Sequence, residues 1–63
     1  MNNDINSIRR NQYRAYQIAS GLSVAAFRTA VYAHAEYYYG SKNLVPSLWV
    51  EAAGQVSRAL ASR

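Results

Sequence analysis

The sequence predicts a mainly α-helical chain that works as a small homodimer whose core is shared between chains, with two or three helices per chain and room for one short strand near 43–46. Three observations carry that expectation. The first is composition: 63 residues without a cysteine combine 51% hydrophobic residues with only 16% charged ones. A chain this short buries about 60% of its unfolded surface and needs help from disulfides, a metal or a partner chain. Disulfides are excluded, and His34 with only Asp4, Glu36 and Glu51 as carboxylates offers no ligand set for a metal. Self-association remains. The second observation is a pair of glycine corners, at Gly21 and Gly40, which divide the chain into segments of helical apolar spacing. The third is the run Tyr37-Tyr38-Tyr39. On a helix these side chains point about 100° apart, so one small core cannot cover all of them.

The first helix is expected over about 5–19. Asn3 or Asp4 can cap it, and Ile5, Ile8, Ala15, Ala19 and Leu22 mark an apolar side, with Gln12 in the gap. Arg10, Tyr13, Arg14 and Gln17 lie opposite, giving a polar, basic face. Gly21 is a natural left-handed stop and Ser23 a natural cap for a second helix over about 23–39. A single glycine costs only about 1 kcal/mol inside a helix, so one bent helix over 5–39 stays open. The second segment is apolar nearly all round. Val24, Phe27, Val31, Ala35 and Tyr38 form one stripe, and Ala26, Ala30 and Ala33 a narrow strip where another backbone can approach. That pattern suggests contacts on two faces, one to its own chain and one to another. Residues 40–46 read as a turn followed by an extended segment, because Pro46 pushes Val45 away from helical geometry. Leu44-Val45 is either a linker or a strand pairing across a dimer axis. Pro46 or Ser47 starts a last helix, over about 47–61, with Trp49, Ala52, Ala53, Val56 and Leu60 as its apolar stripe and Glu51, Gln55, Arg58 and Ser62 facing away. Trp49, Val56 and Leu60 are expected to pack against Phe27, Val31 and Tyr38, within or between chains. Residues 1–63 then form a single domain.

Catalysis is poorly supported. One histidine and three carboxylates on separate segments give no Ser-His-acid set and no carboxylate pair, and the three glycines are too far apart for a phosphate loop. His34 reads as a packed or interface residue. No catalytic residue, metal or cofactor is assigned, and the expected activity is non-enzymatic. No apolar run approaches the ~20 residues of a membrane span, and MNNDINSIRR lacks the apolar stretch of a signal peptide, so a cytoplasmic protein with no membrane partner is expected.

A net charge of +4 permits an acidic partner without naming one. Arg9, Arg10, Arg14 and Arg28 are the candidate contacts to acidic protein or nucleic acid, the first three interleaved with Tyr13 and Tyr16. The blander alternative is a solvated helix face. Phe27, Val31, Tyr37, Tyr38, Tyr39, Trp49, Val56 and Leu60 are the candidate dimer or partner interface, since tyrosine suits surfaces buried part of the time. A dimer of this kind leaves an aromatic-lined cleft for an apolar helix of a target protein. A base-stacking platform ranks last, because only Lys42 supplies charge near Tyr37–Tyr39 and Trp49 in the sequence.

The stretch QIASGLSVAAF resembles the corner of helix-turn-helix proteins, with Gly21, Leu22, Ser23 and Phe27 in the expected places. That resemblance implies that the second helix enters the major groove. Gln17 stands where alanine is usual, and Arg28 and Thr29 are the only obvious readers. The same stretch is similar to part of the ribbon-helix-helix repressors, but MNNDIN is too short and wrongly patterned for their basic strand. A small DNA-binding dimer is therefore the runner-up, behind a protein-interaction module.

As a whole, the 63-residue, cysteine-free, tyrosine-rich chain with an extended segment near Leu44-Val45 resembles the very short early proteins of temperate lambda-like phages, those encoded between the exonuclease and excisionase genes. The resemblance implies an intertwined dimer of two helices and one strand per chain, without enzymatic activity. It further implies a role in tilting infection towards lysis through a host or phage protein. It carries over no functional residues.

Overall fold

A computed structural model describes residues 4–62 and holds three helices: α1 (Ile5–Ser20), α2 (Val24–Tyr39) and α3 (Pro46–Ala61). Asp4 turns the chain into α1, its carboxylate accepting from the Asn6 N–H at 3.1 Å. It thereby fills one of the amides that have no partner inside a helix. Asn3, the other candidate cap, lies outside the described residues.

The corner between α1 and α2 is a true break. Gly21 takes the left-handed conformation, φ 77°, and donates its N–H to the Ile18 carbonyl at 3.1 Å. Three side chains then tie the turn. Ser20 Oγ accepts from the Leu22 N–H at 3.1 Å, Gln17 Nε2 donates to the Leu22 carbonyl at 2.7 Å, and Ser23 Oγ accepts from the Ala26 N–H at 3.2 Å. Gln17 thus has a structural reason to stand where helix-turn-helix proteins carry alanine.

Gly40, φ 78°, closes α2 in the same manner. Within the single chain no strand forms near 43–46: no residue among those described is in a strand. Val45 is extended, φ −67° and ψ 156°, but it serves as the N-cap position of α3, with Pro46 as the first helical residue. Proline has no N–H to give a β-ladder and its ring geometry suits a helix start, so the local chemistry favours the helix.

The architecture is organised by α3, which packs against both other helices while α1 and α2 scarcely meet. Ala52, Ala53 and Val56 of α3 form one buried cluster with Phe27 and Val31 of α2; Phe27 and Val31 are both 0% exposed. The side towards α1 is small. Gly54 is buried beneath the ring of Tyr16 from α1, and a Cβ placed there would lie 3.1 Å from Tyr16 Cζ. Within the chain, α3 is the helix that makes contacts on two faces: Ala52, Ala53 and Val56 of its expected stripe are buried, and so are Gly54 and Ser57 beside it.

The orientation of α1 corrects the expectation. Its aliphatic side does not face the core: Ile5 is 56% and Ile8 45% exposed, and Ala15 and Ala19 are exposed as well. The inward side carries Tyr13 and Tyr16, which pack on the core, with Arg9, Gln17 and Ser20 half-buried around them. Two aromatic rings offer more contact area than two isoleucines while their hydroxyls stay near water, and Tyr13 meets Phe27 edge-on at 5.4 Å.

Candidate binding cleft

All three helices line an open cleft of about 420 Å³ at the end of the molecule where α3 begins. From α1 come Asn6, Arg9, Arg10 and Tyr13; from α2, Arg28 and Tyr32; from α3, Pro46, Trp49 and Val50. Each helix contributes for a local reason. Arg9, Arg10 and Tyr13 lie within about one turn of each other on α1, so the inward rotation that buries Tyr13 brings Arg9 and Arg10 to the rim. Arg28 and Tyr32 are four apart and share a side of α2. Trp49 sits in the first turn of α3, held there by the Pro46 start.

The chemistry of this cleft is lopsided. Three arginines are among its lining residues and no Asp or Glu lines it. Its floor is aromatic: Tyr32 and Trp49 pack with centroids 5.0 Å apart at 52°. Burial raises the pKa of Tyr13 above the ordinary 10.0 against the opposing pull of the Arg28 guanidinium, with Tyr32 adding to the rise. Arg14 lies one turn further along α1, beside a second hollow that shares Arg10 and Tyr13 with the first. The tertiary structure thus joins Arg28 to Arg9 and Arg10, and brings all three to Trp49. A base-stacking platform ranks last in the sequence for want of charge near Tyr37–Tyr39 and Trp49; the structure brings arginines to Trp49 and Tyr32, while Tyr37, Tyr38 and Tyr39 do not line this cleft.

The remaining candidates divide. Phe27, Val31 and Val56 are internal to the single chain, with Leu60 and Tyr39 packed at the core margin. Tyr37 is 90% and Tyr38 62% exposed, so of the tyrosine run this chain covers Tyr39 alone. Tyr38 is outside the core where it was expected to pack; its ring stacks on His34 at 5.4 Å and 10°. The Tyr39 hydroxyl is enclosed without a hydrogen-bond partner; burial foremost, and then the Glu51 carboxylate, raise its pKa. His34 Nε2 is hydrogen-bonded to Gln55 Oε1, linking α2 to α3. With that oxygen accepting, Nε2 carries the hydrogen. Gln55, expected to face solvent, is therefore half-buried. Among the described residues no group of three His, Cys, Asp or Glu side chains is placed to hold a metal ion, and no helix is long and apolar enough to cross a membrane.

Compared with protein families, curated proteins and solved structures, the chain matches none.

Proposed function

We propose that this protein is a small non-enzymatic interaction module that acts as a homodimer and binds another protein. The observation that carries the reading is the rotation of α1. An amphipathic helix normally turns its aliphatic side inward, yet here Ile5, Ile8, Ala15 and Ala19 face outward along one side. A second copy of the chain is the occupant that supplies the apolar cover so short a domain needs. The resemblance to short phage early proteins adds a setting, an infected bacterium in which the partner is a host or phage protein and the outcome a shift towards lysis.

Sedimentation equilibrium of the wild type and of the double variant Ile5→Gln, Ile8→Gln tests this. Glutamine keeps helix propensity nearly intact. Each half-exposed isoleucine holds roughly 1 kcal/mol of unrealised burial, and a two-fold interface contains each twice. The variant should therefore weaken dimerisation by about 4 kcal/mol, near a thousandfold in Kd. A wild type that stays monomeric at tens of micromolar, or a variant dimer of undiminished affinity, refutes the assignment. A second reading, a DNA-binding dimer, is favoured by the well-formed corner at Gly21–Ser23 and by Arg28 beside Arg9 and Arg10. It requires that a mixed-sequence duplex shift the sedimenting mass at low salt and release it steeply as salt rises.

A further inference from the structure

We infer that the cleft between the three helices is the partner site, and that it takes an acidic segment of a protein whose apolar side chain seats on Trp49 and Tyr32 while its carboxylates meet Arg9, Arg10 and Arg28. This deepens the interaction-module reading and rests on it, but it uses a different surface from the outward side of α1. Charge complementarity is the first argument. Three arginines from two helices converge on one opening with no carboxylate lining it, although the chain has three acidic residues to place there. Guanidinium forks bind carboxylates in paired hydrogen bonds, and arginine and aromatic residues are the side chains enriched where proteins meet.

Size and shape supply the second argument. A cleft of about 420 Å³ with an aromatic floor falls within the range of ligand sites, roughly 300–1,000 Å³. It accepts an apolar side chain together with its flanking acids. A nucleobase fits the same opening less well. Trp49 and Tyr32 cross at 52°, so they offer no continuous platform for successive stacked bases. The charge is also gathered at one mouth, whereas a nucleic-acid backbone requires a track of cations.

Trp49 is the only tryptophan in the chain and lines the cleft, so its fluorescence reports occupancy directly. The probes are a synthetic 12-residue amphipathic peptide with leucine and phenylalanine on one side and aspartate and glutamate on the other, its Asn/Gln counterpart, and an oligothymidylate of eight nucleotides. The acidic peptide should change the Trp49 emission saturably. Its affinity should fall about tenfold or more in the exposed-site variant Arg28→Ala, as expected for a lost charge-assisted hydrogen bond, and recover only in part in Arg28→Lys. Circular dichroism of Arg28→Ala should match the wild type. The inference is overturned if the Asn/Gln peptide binds as well as the acidic one, if Arg28→Ala binds undiminished, if the acidic peptide leaves the emission unchanged, or if the oligothymidylate binds in its place. Dimerisation measured on the same samples separates these outcomes from failure of the interaction-module reading, because the Arg28 variants leave Ile5 and Ile8 untouched.

Discussion

Replacing Gly54 by alanine tests the contact on which the whole arrangement turns, the seating of α1 on α3. In a helix interior alanine is favoured over glycine by about 1 kcal/mol. Against that gain stands the ring of Tyr16. A Cβ at position 54 would lie 3.1 Å from its Cζ and 3.3 Å from both Cε2 and Oη, so the ring must retreat by a few tenths of an ångström in a closely packed seam. Overpacking of this kind costs roughly 1–3 kcal/mol. Gly54→Ala should accordingly destabilise the protein by about 1 kcal/mol, a fall of about 4–8 °C in Tm for a domain of this size. Made in a Tyr16→Leu background, where the ring is gone, the same substitution should stabilise by about 1 kcal/mol. The two effects differ in sign, and the double-mutant cycle should return a coupling near 2 kcal/mol. Urea denaturation at one fixed protein concentration is the assay, since self-association makes apparent stability depend on concentration. Equal stabilisation in both backgrounds would refute the reasoning, because it would mean that Tyr16 does not lie over Gly54.

Two further outcomes follow from the corners and the tyrosines. Gly21→Ala should cost about 1–2 kcal/mol by circular-dichroism melting: the position has φ 77° and no atom within 4 Å of a new Cβ, so the penalty is left-handed backbone strain alone, and Gly21→Asn should recover part of it. In alkaline spectrophotometric titration Tyr13 and Tyr39 should ionise above the usual 10.0, because burial favours their neutral forms. A folded-state pKa raised above the unfolded one means that stability is intact below pH 10 and is lost as pH climbs through the folded values. Tyr39→Phe should remove one late-ionising phenol with little loss of stability at neutral pH, since the hydroxyl makes no well-formed hydrogen bond although Glu51 and Gln55 lie near it. A marked loss of stability in that variant would contradict the geometry.

The sequence by itself marked where the helices start and stop, while leaving open whether 5–39 was one bent helix or two. Asp4, Gly21, Ser23, Gly40 and Pro46 act through their own backbone and nearest amides, and such chemistry operates whatever the rest of the chain does. The middle of the α2 stripe was legible for a similar reason: Phe27, Val31 and Ala35 are aligned by the helical period and buried, whereas Val24 and Tyr38 at the ends of the same stripe are exposed. The tertiary structure alone decided which side of α1 turns inward. A helix carrying isoleucines on one side and tyrosines on the other can turn either side inward, and in the folded chain the tyrosine side is seated on the core, with Tyr16 over Gly54. The site depended on that choice. Arg9 and Arg10 are 18 or more positions from Arg28 and about 40 from Trp49, so no spacing rule joins them. They meet because rotating Tyr13 and Tyr16 into the core swings Arg9 and Arg10 to the mouth of α3, where the Pro46 start has placed Trp49.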